Sequence, residues 1–371
     1  MTKTLRSKIL KTALIPLILL SLLMNTIAAA ARPTDSEDSS YFSAKSSLYN
    51  QDLALMLATL SEAAYNQADI KEALKNQGFD PESIETHNYS SSEKTDNKVG
   101  FAFAHKRISE AGSAYNLISI TVRGTVANEW YSNFNIGLDT NDHAGFKAAE
   151  NELLAAFNKY ANDYDLTRRA ENKIIITGHS RGAAVANLLA ADLTKTRQHA
   201  SKNNIYAYTF ATPNTSKSAE VKNTQAYTNI FNFVNAEDFI THLPLSADDW
   251  NYGRYGITLT NNSSKTVQDA IDMLLELAPN TEVFYHTKYP SKPLSTDLTP
   301  QKYFEYVCDV LSRSSSAVPS ALVLSVLATN TYYGGISKFL LKEIENIRST
   351  HTMPAYRAWI TSTPYEDFIK Q

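Results

Sequence analysis

The hydrophobic positions change their period several times between residues 53 and 260. Leu53, Leu55, Met56, Leu60, Ala63 and Ala64 recur at helical spacing, and residues 70–77 read as a second short helix. Compact runs of branched and aromatic side chains then mark strands at 99–104, 117–122, 173–177, 205–210, 230–234 and 255–260. Residues 146–160 and 183–196 carry apolar positions at intervals of three and four, so helices fall between the strands. That alternation predicts an α/β fold on a mostly parallel central sheet flanked by helices. From residue 264 the strand signal fades. Residues 267–277, 300–311, 317–328 and 337–347 all read as helices, which together make a helical insertion or cap over about 264–346.

The start of the chain follows another pattern. Residues 1–11 hold Lys3, Arg6, Lys8 and Lys11 with no acid, residues 12–27 are almost unbroken apolar, and alanines fill 28–31. A basic, then apolar, then small-residue order predicts a secretory signal peptide over 1–31, and with it a secreted or cell-envelope protein. The alternative is an uncleaved membrane anchor, since 12–31 approaches the roughly 20 residues that span a bilayer. Residues 32–50 are rich in Ser and Asp and read as a polar lead-in, followed by a single domain over 51–371. Removing four basic residues with the signal takes the net charge from -3 to -7, which argues against a nucleic-acid surface. With 43% apolar residues the chain can bury a sizeable core. It must rely on that core, because Cys308 is the single cysteine and no internal disulfide can form. Cys308 lies in an apolar helical pattern and reads as a buried, inert thiol. No Cys or His spacing reads as a metal site.

The sharpest local signal is Gly178-His179-Ser180-Arg181-Gly182. An apolar run, Ile174-Ile175-Ile176, precedes it and small residues at 183, 184 and 186 follow, so the pentapeptide sits between a strand and a helix. That is the context of a nucleophile elbow, in which Ser180 stands on a strained turn and glycines let strand and helix pass closely. A serine hydroxyl so placed needs a base to take its proton. In α/β hydrolases an acid and then a histidine follow the serine along the chain. Asp238, just past the 230–234 strand, is the candidate acid with Glu237 as its competitor, and His286 and His351 are the candidate bases. His242, four residues past Asp238, reads as a loop residue near the site.

Five stretches resemble the class 3 lipases, the fungal-type triacylglycerol lipases and their bacterial relatives in the α/β-hydrolase superfamily. They are Ile120 to Thr125 with Glu129-Trp130, Asp142-His143-Ala144-Gly145-Phe146, the elbow, Thr209-Phe210-Ala211-Thr212-Pro213, and Asn235 to Pro244. The resemblance runs from about Leu53 to Thr260 and resumes near His351. It implies an α/β-hydrolase-type fold and a serine carboxylic-ester hydrolase acting on acylglycerols or other lipid esters through a Ser-His-Asp triad and an acyl-enzyme. Neither metal nor organic cofactor is implied. Matched residue by residue, the acid falls on Asp238 and the base on His351, with His286 the alternative. The oxyanion hole falls on Thr125 and the backbone N–H of Arg181. Trp130 and Phe134 fall where fungal relatives carry a lid, which implies substrate contact or transient contact with a lipid interface; the alternative is that both are core residues. His143 and His179 read as support for the turn. Arg181 departs from the apolar residue common in fungal members; it either pairs with Asp142 or favours an anionic head group. A phospholipase A-type enzyme, a thioesterase or a peptidase uses the same triad, and a non-catalytic binding protein on this scaffold is the remaining alternative.

Overall fold

Side chains alternate between the two faces of a strand, and in the computed structural model helices cover both faces. The structure describes residues 41–90, 98–110, 112–126, 132–133, 135–137, 139–244, 246, 251–261, 264–277, 279 and 350–371. The expected signal peptide, Trp130, Phe134, His286, Cys308 and the expected insertion beyond residue 279 lie outside them. Among the described residues, eight strands form one sheet in chain order: β1 (Glu85–His87), β2 (Phe101–Glu110), β3 (Ser113–Val122), β4 (Asn172–His179), β5 (Ile205–Phe210), β6 (Ile230–Asn235), β7 (Ile257–Asn261) and β8 (Ile369–Lys370). β3 to β7 run parallel, and antiparallel pairs close both edges.

Six described helices accompany the sheet: α1 (Gln51–Ala63), α2 (Gln67–Asn76), α3 (Ala144–Asp163), α4 (Arg181–Thr196), α5 (Ser264–Leu277) and α6 (Met353–Ser362). Phe103, Ile118, Ile120, Ile174, Ile176 and Ala207 project to the face covered by α3 and α4. Their chain neighbours Ala102, Leu117, Ile175, Tyr206 and Tyr208 project the other way, under α1, α2 and α6. A parallel strand covered twice is apolar at every position, and the fully buried run Ile174-Ile175-Ile176 shows it.

The helices expected at 146–160 and 183–196 begin earlier, at Ala144 and Arg181. His143 caps α3 by accepting the Phe146 N–H, a polar contact that an apolar period does not register. β2 and β3 run beyond their apolar stretches to a tight hairpin with Glu110 opposite Ser113. The expected lead-in is docked over 41–50. Phe42 and Ser46 are fully buried, the Ser46 hydroxyl donates to the Lys202 carbonyl (2.7 Å), and the Tyr206 hydroxyl donates to the Ala44 carbonyl (2.9 Å). Of the expected insertion, α5 packs on α6 through Leu274, Ala355 and Ala358.

Candidate active site

The carboxyl ends of β4, β5 and β6 meet the start of α6, and the candidate residues gather there. Ser180 occupies the single position between β4 and α4, with φ 58° and ψ −127°, a conformation that costs an L-residue about 1–3 kcal/mol unless its surroundings enforce it. They do: its N–H donates to the Phe210 carbonyl (3.0 Å), and its own carbonyl accepts the Ala184 N–H (3.1 Å). A Cβ on Gly178 would lie 2.6 Å from the Gly182 carbonyl, and one on Gly182 would overlap the Val122 carbonyl. The Ser180 side chain therefore projects from a turn whose neighbours have no room for side chains, and the residue remains 9% exposed.

His351 precedes α6 and faces the elbow. Its Nε2 lies 2.8 Å from Ser180 Oγ and its Nδ1 2.8 Å from Asp238 Oδ2. An ionised carboxylate only accepts, so in the neutral ring Nδ1 carries the proton and the Nε2 lone pair faces the serine hydroxyl. Asp238 is fully buried, and its oxygens also accept the Ile240 N–H (3.1 Å, to Oδ1) and the Tyr356 hydroxyl (2.7 Å, to Oδ2). Burial and the Asp238 charge hold the Tyr356 phenol well above its ordinary pKa, so it stays a donor. Glu237 contributes backbone, its carbonyl accepting the Thr350 hydroxyl (3.4 Å). His242 ends a short 3₁₀ turn after Asp238, and burial, then the Arg254 charge, lowers its pKa.

Beyond the elbow, Asn133 joins the two expected oxyanion positions. It donates to Thr125 Oγ1 (3.0 Å) and accepts from Arg181 Nη1 (3.0 Å). Arg181 is 1% exposed and its guanidinium lies over the Phe146 ring, so it is part of the scaffold; its described hydrogen bond goes to Asn133 rather than to Asp142. His143 stacks on Phe146 and donates through Nε2 to the Asn133 carbonyl (3.1 Å); burial, with the Arg181 charge adding, pushes its pKa down to about 3. Asn133 escaped sequence reasoning because an asparagine between aromatic residues carries no signal of its own. Arg254, which donates to Asn214 and to the Thr241 carbonyl (2.6 Å) behind Asp238, gave no signal at all.

The family described as lipase (class 3) matches residues 91–247, a stretch that contains the elbow, Thr125 and Asp238. Over that stretch the chain is similar to the class 3 lipases. A lipase from Rhizomucor miehei is 30% identical over 162 residues, covering 40% of this chain and 43% of the relative. A secreted mono- and diacylglycerol lipase from Fusarium solani is 38% identical over 86 residues, covering 21% of this chain and 26% of the relative. The chain thus spans less than half the length of these relatives. The solved structure of the Rhizomucor miehei triacylglyceride lipase aligns with 59% of this chain and 83% of its own, at 21% identity and a TM-score of 0.41.

Proposed function

We propose that this protein is an exported serine carboxylic-ester hydrolase, a lipase acting on acylglycerols or related lipid esters. The observation that carries the reading is the unbroken contact chain Ser180, His351, Asp238 on a strained elbow. Ser180 Oγ attacks the ester carbonyl carbon while its proton passes to His351 Nε2, and Asp238 stabilises the imidazolium through Nδ1. The carbonyl oxygen becomes an oxyanion, held by the Arg181 N–H and by Thr125, whose hydroxyl accepts from Asn133 and keeps its own proton for donation. As the tetrahedral species collapses, the C–O bond to the alcohol breaks and the alcohol takes the proton from His351. That leaves Ser180 acylated. Water then repeats the sequence: His351 takes its proton, hydroxide adds to the acyl carbon, and Ser180 departs with the proton as the fatty acid is released.

The family supports the substrate class, and the lipid esters named for the relatives support it further. Export is supported by the order of residues at 1–31 and by the word secreted in the name of the Fusarium solani relative. Among the described residues no helix is long and apolar enough to cross a membrane. The decisive experiment is hydrolysis of a p-nitrophenyl ester by Ser180→Ala. Turnover is expected to fall by about 10⁴-fold or more while the circular dichroism spectrum stays unchanged. Turnover near that of the parent protein would overturn the reading.

A further inference from the structure

We infer that His179, the residue before the nucleophile, is a positioning residue for the base: it grips the backbone of His351 and, through Tyr65, ties that grip to the oxyanion loop. The inference rests on reading Ser180 and His351 as nucleophile and base. His179 Nε2 lies 2.7 Å from the His351 carbonyl oxygen, and its Nδ1 lies 2.7 Å from the Tyr65 hydroxyl. A carbonyl only accepts, so Nε2 carries the proton; Nδ1 is then an acceptor, and Tyr65 must donate to it. Both ends fix the same neutral tautomer.

The placement of the base needs such a grip. His351 stands just ahead of α6, whose N-cap Thr352 makes no side-chain capping bond. Two ties on the neighbouring residue, Asn235 Nδ2 to the Thr350 carbonyl and Thr350 Oγ1 to the Glu237 carbonyl, are long at 3.4 Å. The His179 bond, at 2.7 Å, is shorter than either, and it acts on the residue whose ring must reach Ser180 and Asp238 together. Tyr65 extends the tie: a Cβ on Gly124 would overlap its hydroxyl, so the ring is keyed against the loop that carries Thr125. The wholly buried His179 ring lies 4.9 Å from the His351 ring, centroid to centroid. Burial first, and then the neighbouring His351, lowers its pKa well below the ordinary value. A neutral donor suits the position, because a cation there would oppose the imidazolium that His351 becomes when it takes the serine proton.

The test compares full-length wild type with His179→Phe, His179→Gln, Tyr65→Phe and the double variant His179→Phe/Tyr65→Phe. It reads kcat and KM on p-nitrophenyl butyrate and the rate at which a fluorophosphonate labels Ser180. Loss of alignment on the scale of an ångström is expected to cost His179→Phe about 10- to 100-fold in kcat and in labelling rate, with KM changed less than about threefold. His179→Gln, whose amide can donate to the same carbonyl, should recover most of that loss. Tyr65→Phe should lose less, and the double variant should be no worse than His179→Phe alone. Wild-type labelling in His179→Phe, an equal defect in His179→Gln, or additive losses in the double variant would each overturn the inference. If His179→Phe does not fold, the comparison of His179→Gln with Tyr65→Phe decides: a labelling rate in His179→Gln at or below that of Tyr65→Phe rejects the grip, and a higher one supports it. A wild type that fluorophosphonate does not label at Ser180 would instead reject the hydrolase reading itself.

Discussion

Asp238 is a fully buried carboxylate, and such a group is tolerated only when its oxygens are filled. The Tyr356 hydroxyl fills one at 2.7 Å and at the same time accepts the Asn235 N–H at 3.1 Å, so one phenol satisfies the acid and the end of β6 together. Removing it leaves Oδ2 with His351 alone and the Asn235 amide without that acceptor. Hydrogen bonds to charged groups contribute about 1.5–3 kcal/mol each. Tyr356→Phe is therefore expected to lower unfolding stability by about 2 kcal/mol in urea titration. It is also expected to reduce kcat roughly tenfold, because the carboxylate gains freedom to turn away from the imidazole. A variant with unchanged kcat would mean that Asp238 keeps its orientation without the phenol. Arg181 teaches a related point. Its sequence position beside the nucleophile suggested either pairing with Asp142 or contact with a ligand charge; 1% exposure and the Asn133 bond make it a brace for the Thr125 loop.

Between β4 and α4 the constraint passes from single side chains to elements. A Cβ on Gly182 would overlap the Val122 carbonyl and lie within 2.7 Å of the Arg123 carbonyl carbon, so alanine there must push the end of β3 outward, and Thr125 with it. Gly182→Ala is expected to cost about 2–4 kcal/mol of stability and to abolish ester turnover. Gly112→Ala, at a hairpin tip with φ +79° and nothing within 4 Å of the new Cβ, should cost only about 1 kcal/mol and leave turnover intact. Equal effects in the two variants would mean that strand and helix are not clamped at the elbow. The same clamp made the elbow legible in the sequence: close passage admits only glycine at 178 and 182, and a buried strand admits only apolar residues at 174–176. The parallel strands were legible for the second reason. β1 and β8 were not, because Glu-Thr-His and Ile-Lys are too short to show a period and are held by backbone pairing to their neighbours. Nor were the contacts of Asn133 and Tyr65. They join residues 48 and 114 positions apart, and asparagine and tyrosine occur equally well on any surface.

At the scale of the whole molecule, the two-faced sheet buries histidines as well as hydrocarbon. His143 and His179 are almost wholly enclosed, and burial lowers both pKa values, that of His143 to about 3. His105, His199 and His242 are lowered in the same direction, again chiefly by burial. In the unfolded chain each returns to about 6.5. Below that pH the unfolded state binds more protons than the native state, so the contribution of these residues is complete above about pH 6.5 and is lost as pH falls toward the native values. Half-buried Glu62 and buried Glu150, raised chiefly by desolvation, act with the opposite sign: the native state holds their protons more tightly, so their contribution grows as pH falls toward 4.5. The histidines are the more numerous, and each fully buried one contributes a slope on the order of 1 kcal/mol per pH unit within its window. The urea midpoint is therefore expected to be flat from pH 8 to 7 and to fall between pH 6.5 and 5. His143→Gln should start from a lower midpoint, having lost a cap and an aromatic stack, but should show a shallower fall. Equal midpoints at pH 7 and pH 5 in the parent protein would show that the buried histidines are not held neutral, and the tautomer assigned to His179 would lose its basis with them.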